Sequence, residues 1–306
     1  TWGSGAVRAA KLVSPGPRVR ALTYHRFGRE PRDAFCVSPD DFELQMAWLS
    51  AEGLAVSLED VVEFVRGRRA LPDGAVLVTI DDGCVSTLEL ALPILQKHRI
   101  PAVAFITSSL IGAGRLGLPE PYMTWDELRS CTKAGLAIGS HAYSHRSMGQ
   151  LSIDTVRDEA RRSREQLESE LGQKVISFAY PFGTHGDFSP DTDRALMDAG
   201  YEIAFHSQHG AIRQQGAIRQ QGAIRQQGAI RASSSGASSE LVSLPRVKVE
   251  SGDAFWMFRL LTQGAMDSWK VIDRNLWRLQ RVREEIEAEP PPARSGESTD
   301  DRAAAE

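Results

Sequence analysis

Short apolar runs alternate with capped helical segments along most of this chain, and that alternation constrains its fold more than any other feature. "RALTYH" reads as a first strand. "SPDDFELQMAWLSAEG" then reads as a helix in which Ser38 caps, Pro39 takes the first position and Gly53 stops the run. "SLEDVVEFVRG" repeats the device with Ser57 as cap. "AVLVTI" is a buried strand, followed by a helical "STLELALPILQKH" in which Pro93 is tolerable only at a kink or near a turn. "PAVAFIT" is the next strand, "TWDELRSCTKAG" carries a capping box from Thr124 to Glu127, and "LAIGSH" is a strand again. A long charged helix, "SIDTVRDEARRSREQLESELG", ends at Gly172. "VISFAYPFG", "YEIAF" and "LPRVKV" complete the strands, with a helical "SPDTDRALMDAG" ahead of the second of them. Parallel neighbours need a crossover, so repeated strand-then-helix order implies an α/β fold with a parallel sheet, open or closed.

The polar motifs decide between those two forms. Tyr24-His25, Asp81-Asp82, His141 and the Pro181-Phe182-Gly183 turn all follow strand ends. An open doubly wound sheet concentrates its site in one crevice, whereas a barrel collects residues from many strand ends on one face. Four contributing strand ends favour the barrel, and 306 residues with 42% hydrophobic content are enough to build one.

Outside the alternating region the pattern changes. Residues 1–17 read as an N-terminal extension, 18–250 as the barrel domain, 251–288 as a C-terminal helical extension and 289–306 as a disordered tail. Within the barrel domain, 210–240 form a repeat loop: the unit GAIRQQ occurs three times in full and once more as GAIR. Isolated Ile residues make a poor core, so the repeat reads as a lengthened surface loop, with a basic arm through Arg213, Arg219, Arg225 and Arg231 as the sharper alternative. In the C-terminal segment Met266, Trp269, Ile272, Leu276 and Leu279 share one helical stripe. Packing against the barrel is the first reading of that stripe, and a peripheral contact with an anionic membrane surface the second. A net charge of -4 gives no argument for nucleic acid, and no apolar run is long enough to span a membrane. Cys36, Cys84 and Cys131 are odd in number and share no CxxC spacing, and the first residues lack the apolar middle of a signal peptide. On these features the cytoplasm is the expected compartment, with the inner membrane face as the peripheral alternative. They leave the oligomeric state open.

The chemistry is concentrated in "VTIDDG" and "SHAYSH". A strand that ends in two carboxylates must offset their desolvation and mutual repulsion with a metal, a proton or a catalytic role. His141 and His145, four residues apart, put both rings on one side of a strand or helix. With Asp82 they make a two-histidine, one-carboxylate set for one divalent ion, Zn²⁺ first, with Co²⁺, Ni²⁺ and Fe²⁺ tolerated by the same ligands. Asp81 diverges from its neighbour and is placed to take a proton from water. Amide hydrolysis also needs an acid for the leaving amine, and His25 is the candidate.

These motifs, with "FAYPFG", resemble in order the first three motifs of the polysaccharide deacetylases, the NodB-homology or carbohydrate esterase 4 group. The resemblance covers roughly residues 18–250 and implies a distorted (β/α)₇ barrel. It implies Asp81 as catalytic base, Asp82, His141 and His145 as metal ligands, and the Phe182 N–H as an oxyanion donor, with Tyr180, Pro181 and Phe182 along a sugar groove, core packing being an equal reading for the aromatic rings. The early "LTYHR" and the "FAYPFG" form resemble the subgroup that deacetylates poly-N-acetylglucosamine, in which the early histidine, here His25, acts as the acid. What this implies is a hydrolase of linear amides that acts on a glycan containing N-acetylhexosamine. A non-sugar amide or imide as substrate, or a glycan-binding module without catalysis, are the alternatives. Two departures stand out: Ile80 replaces the Phe usual before the carboxylate pair, and the third motif lacks the arginine that orients the base. Arg246, on the last strand, is the residue expected to supply that charge. His185, after the Phe182 turn, is a weaker candidate for substrate contact.

Overall fold

Seven parallel strands close on one another in the computed structural model, which describes residues 17–30, 33–115, 120–214 and 242–269. In chain order these strands are β1 (Arg20–Tyr24), β4 (Val76–Asp82), β5 (Ala102–Ile106), β6 (Ala137–Ser140), β7 (Ser177–Ala179), β8 (Ile203–His206) and β9 (Val242–Lys248). Each pairs with the next, and β9 returns to β1, so among the described residues the barrel has no open edge. The expected (β/α)₇ barrel is the fold. Two further strands, β2 (Arg26–Phe27) and β3 (Cys36–Val37), pair outside the barrel and were not signalled by the sequence, being two residues each.

Alternation along each strand divides the apolar residues into two layers. Leu22, Tyr24, Val76, Val78 and Ile80 face outward into the layer between barrel and helices. Ala21, Leu77, Val103, Phe105, Phe205 and Leu244 fill the barrel. Each fully buried Phe, Leu or Val contributes about 1.5–3 kcal/mol, so both layers matter to stability. The interior is tight. A Cβ on Gly139 would sit 2.4 Å from the Phe105 ring, so only glycine on β6 lets that ring enter the barrel.

The helices form where the caps predict. They are α1 (Pro39–Ala51), α2 (Leu58–Val65), α3 (Leu92–His98), α4 (Trp125–Lys133), α5 (Ile153–Leu171), α6 (Pro190–Asp198) and α7 (Phe255–Gln263). Ser38, Ser57, Thr124, Ser152 and Ser189 each accept a backbone N–H of the first turn. Pro93 is accommodated because the preceding turn, Thr87–Ala91, is π-helical and α3 begins afresh at Leu92.

Two expectations are corrected. The C-terminal segment is not one continuous helix. α7 packs on α1 through Trp48 and Phe258 and stops at Gly264, whose φ of 88° reverses the chain. Beyond it Asp267–Trp269 form a short 3₁₀ turn in which the Trp269 N–H donates to the Met266 carbonyl at 2.9 Å, and Ile272, Leu276 and Leu279 lie outside the described residues, as do 289–306. The first Ile of the GAIRQQ run, Ile212, is a core residue: it is 1% exposed and bridges Val19 in antiparallel fashion. Proximity to the foot of β1 gives that first copy a partner that the repeat pattern could not reveal. Arg219, Arg225 and Arg231 lie outside the described residues. Cys36, Cys84 and Cys131 are free and buried. Among the described residues no helix is long and apolar enough to cross a membrane.

Candidate active site

The C-terminal ends of β1, β4, β6, β7 and β9 converge on one face of the barrel. Side chains of successive strand residues point to opposite sides. Tyr24 faces outward, where its hydroxyl donates to Gln45 Oε1 at 2.7 Å, so His25 turns to the barrel mouth. The register Tyr24↔Ile80 sets His25 beside Asp81, one step further along both strands. Asp81 points into the barrel, and Asp82 by alternation would point out. It does not, because its φ of 77° is left-handed and turns its carboxylate back to the mouth. Among the described residues five non-glycine positions have such a φ, and four of them, Asp82, Ala142, His145 and Phe182, belong to this site. Strained backbone is concentrated where the polar groups converge.

The four-residue spacing of His141 and His145 works differently from the sequence reading. β6 ends at Ser140, and both histidines sit in the loop beyond it rather than on a strand or helix. Left-handed turns at Ala142 (φ 63°) and His145 (φ 57°) bring the rings to a centroid separation of 4.9 Å. His141 Nδ1 donates to the Ala179 carbonyl at 2.7 Å, which leaves Nε2 facing the cluster with its lone pair. Asp82 Oδ1 lies 3.6 Å from that Nε2 and 3.3 Å from His145 Nε2. Asp82, His141 and His145 each offer one ligand atom, all within 4.8 Å of one another. Asp82 Oδ1 is buried without a hydrogen-bond partner, which is unusual for a carboxylate oxygen. A buried, unsatisfied oxygen between two imidazole nitrogens fits a divalent ion well.

Asp81 is held by another device. Arg246, 1% exposed, crosses the barrel interior and donates from Nη1 to Asp81 Oδ1 at 2.7 Å and from Nη2 to Oδ2 at 2.8 Å. Nη1 also reaches Thr79 Oγ1 at 3.1 Å, and the guanidinium lies 5.4 Å from the Phe105 ring. Burial pushes Asp81 up, but Arg246 and then His141 outweigh it and hold the carboxyl below its ordinary value. Burial acts on Asp82 likewise, and His145, His25 and His141 outweigh it by more. His141 is pushed down to about 4 by burial. His145 is raised, because the Asp82 carboxylate overcomes its desolvation. Desolvation lowers His25, with Asp82 and Asp81 opposing.

The third-motif turn is placed in part as expected. Phe182, half-buried with φ 61°, sets its ring 5.2 Å from that of His145. Tyr180 is not in a groove. It is fully buried on the outer side of the barrel, where its hydroxyl donates to Asp193 Oδ1 at 2.6 Å and its ring stacks on Phe188. Alternation explains this: Ala179 faces in, so Tyr180 faces out. Pro181 is buried too and offers no groove surface. His185 is exposed and pairs with Gln208.

Two acids that the motifs do not contain organise the loops. Glu159 on α5 accepts the N–H groups of Tyr143 and Ser144, inside the histidine loop. Asp187 accepts from Ser147 Oγ and from Thr184 N, which ties the histidine loop to the turn after Phe182. Glu159 did carry a signal, since it falls within the buried stripe Val156, Ala160, Ser163 and Leu167.

The sequence model of the family described as polysaccharide deacetylase matches residues 68–208. The poly-beta-1,6-N-acetyl-D-glucosamine N-deacetylase of Staphylococcus aureus (strain MRSA252) is 24% identical over 188 residues, covering 58% of this chain and 63% of that protein. The chain thus spans less than two thirds of that relative's length. Among solved structures, the Streptococcus pyogenes deacetylase PplD in complex with acetate has a TM-score of 0.63 at 21% identity, covering 81% of this chain and 98% of that one. IcaB from Ammonifex degensii gives 0.63 at 24% identity, with the same coverage of 81% and 98%. Both show the same fold.

Proposed function

We propose, from the premise that residues 68–208 are a polysaccharide deacetylase domain, that this protein is a metal-dependent hydrolase of N-acetyl groups. Its substrate would be the N-acetylhexosamine units of a bacterial exopolysaccharide or of the glycan precursor. The observation that carries the reading is the pairing of two devices at one mouth: a carboxylate held ionised by Arg246, and an Asp82, His141, His145 cluster with an unsatisfied oxygen. The named activity of the Staphylococcus aureus relative supports the choice of sugar.

In this reading Asp82, His141 and His145 hold one divalent ion, Zn²⁺ before Co²⁺, Ni²⁺ or Fe²⁺. When bound, the ion would supply Lewis acidity to an acetamide carbonyl and lower the pKa of a water whose proton the ionised Asp81 is placed to accept. Asp81 takes that proton, and Arg246 fixes both its oxygens so that the carboxylate cannot rotate away. The Phe182 N–H, at the left-handed turn, is the donor for developing negative charge on the carbonyl oxygen. His25, at the end of β1 beside Asp81, is the group placed to give a proton to the departing amine. Its ring is steadied by Phe35, with centroids 4.8 Å apart.

The test is acetate release from N-acetylglucosamine oligosaccharides by Zn²⁺-loaded protein, beside Asp81→Asn and His141→Ala. Release by the native chain, lost in both variants, supports the reading. Absence of release from a native chain that holds one ion would sink the sugar assignment.

A further inference from the structure

The loop that carries both histidines is gripped from outside the barrel by one face of α5, a helix that supplies no ligand. Glu159, 6% exposed, sits at the centre of that grip. Its Oε2 accepts the N–H of Tyr143 at 3.1 Å and of Ser144 at 2.9 Å, while Oε1 accepts the Ser144 hydroxyl at 2.6 Å. One turn on, the Arg162 guanidinium lies 3.8 Å above the Tyr143 ring. Ser163 Oγ meets Ser140 Oγ at 2.8 Å, at the point where β6 gives way to the loop. Positions 159, 162 and 163 share a helix face by their spacing. From the other side, the N–H groups of Ser108 and Ser109, just past β5, donate to the carbonyls of Ala142 and Tyr143 at 3.3 and 3.0 Å.

The three residues between the histidines are thus bonded from both sides, and the two sides differ. The β5 contacts come from backbone, so they are fixed once the barrel closes. On the α5 side the bonds to the loop's own N–H groups depend on one carboxylate, that of Glu159. That carboxylate stabilises a path with left-handed φ at Ala142 (63°) and His145 (57°), which residues with a Cβ adopt rarely. Without it, two partly buried N–H groups lose their acceptor, and the loop gains by relaxing toward ordinary φ values. Any such relaxation carries His145 Nε2 away from its place 3.3 Å from Asp82 Oδ1. His141 is held independently through Ala179, so the error falls on one ligand.

We infer that Glu159 is a positioning residue for the metal centre: it sets the distance between His141 and His145 and thereby the affinity for the divalent ion. This rests on the metal reading above. Outer partners that orient ligands typically change metal affinity by about 10- to 100-fold when removed.

The experiment measures Zn²⁺ and Co²⁺ affinity by competition with a chromophoric chelator, together with the d–d absorption of the Co²⁺ form. It is run on the native protein, Glu159→Ala, Glu159→Gln and Glu165→Ala, well below each melting temperature. The expected result is about 10- to 100-fold weaker binding and an altered Co²⁺ spectrum in Glu159→Ala. Gln retains an oxygen for the two N–H groups and should restore most of the affinity. Glu165 is exposed on the same helix, so Glu165→Ala should bind as the native chain does. Native affinity and an unchanged spectrum in Glu159→Ala overturn the inference. If that variant does not fold, Glu159→Asp, one methylene shorter, decides: weakened binding supports the inference and native binding overturns it. Failure of the native protein to take up any divalent ion overturns the metal reading and this inference together, whereas native uptake with an indifferent Glu159→Ala overturns this inference alone.

Discussion

Two arginines in this protein are equally buried, each 1% exposed, and they sit on neighbouring strands with opposite orientation. Arg246 on β9 points into the barrel and makes a two-pronged pair with Asp81, itself 2% exposed. Arg20 on β1 points outward beneath the end of α7, and one nitrogen, Nη2, donates to Asp267 Oδ2 at 2.9 Å. Its Nε and Nη1 are buried without a partner. Arg20 fits there because α7 ends in glycine: a Cβ on Gly264 would lie 1.8 Å from Nη2. A cation at a helix C-terminus is also favoured by the dipole. Desolvation lowers the Arg20 pKa, and the Asp267 side chain remains 33% exposed. The difference separates two uses of a buried charge. Outside the barrel the cation closes a helix end. Inside, it holds a second charge in a chosen geometry and protonation state.

The largest expected effect tests the inner pair. Asp81→Asn keeps the shape but removes the proton acceptor, and acetate release should fall by about 10²- to 10⁴-fold. The matching change outside, Asp267→Asn, should leave turnover within a factor of about two, since neither it nor Arg20 faces the mouth. Equal losses in the two variants would break the comparison. The next effect is on the cations. Arg246→Met leaves Asp81 buried and unpaired, a situation that costs about 3–5 kcal/mol. Losing Arg246, the strongest influence opposing burial, lets the Asp81 carboxyl rise, and the acid limb of kcat/KM moves to higher pH. Arg20→Met puts apolar volume in place of a half-satisfied cation, an exchange that is often near neutral, and Asp267 can hydrate. Urea unfolding and pH–rate profiles of the two variants separate these outcomes.

Much of this was legible in the sequence. The caps at Ser38, Ser57 and Thr124 and the strand-then-helix order predict the barrel, because each is a local signal that the tertiary structure did not override. Asp81, Asp82, His141, His145, His25 and Arg246 do converge on one mouth, since strand ends in a parallel barrel must. What the sequence hid was direction. Tyr180 was expected in a groove and is turned outward by the alternation of β7, which depends on knowing which residue of "FAYPFG" faces in. The histidine pair was expected on a regular element and lies on a loop whose shape comes from left-handed residues other than glycine. No propensity marks Ala142 for that conformation, and the modest enrichment of histidine there does not single out His145. Glu159 shares the buried stripe of α5, but its target, the histidine loop, shows only in the packing.

The pH dependence of the metal-free protein offers a third, smaller test of the same division. Burial lowers His141 to about 4, so between about 6.5 and 4 the unfolded chain binds the proton more readily. Stability should therefore fall as pH drops through that window, by on the order of 2–3 kcal/mol, with His25 adding in the same direction. His145 has the opposite sign: its raised pKa contributes stability below about 6.5 that is lost as pH rises through the folded value. In a chelated sample the two histidines should thus pull the stability curve down on opposite sides of about pH 6.5, the ordinary histidine value. His141→Gln should flatten the acid side alone, as measured by urea midpoints across pH, while Arg20→Met, outside the barrel, should leave the curve's shape unchanged.

The smallest effect concerns β7, where the inside and outside roles are only two residues apart. Phe182 faces the mouth beside His145, whereas Tyr180 faces α6 and donates to Asp193 Oδ1, which Ser243 Oγ also serves at 2.9 Å. Tyr180→Phe removes one of two donors to a carboxylate and should cost about 1.5 kcal/mol, the low end for a bond to a charged group. Burial already raises Asp193, with the Tyr180 and Ser243 bonds opposing it. Losing one of those bonds raises it further. A carboxyl raised by folding destabilises most where it must ionise, so the deficit of Tyr180→Phe should be full at neutral pH and shrink as pH falls and Asp193 protonates. KM and kcat should stay as they are, because nothing at the mouth has moved. A rise in KM in Tyr180→Phe would instead put the ring in the substrate's path and return it to the groove.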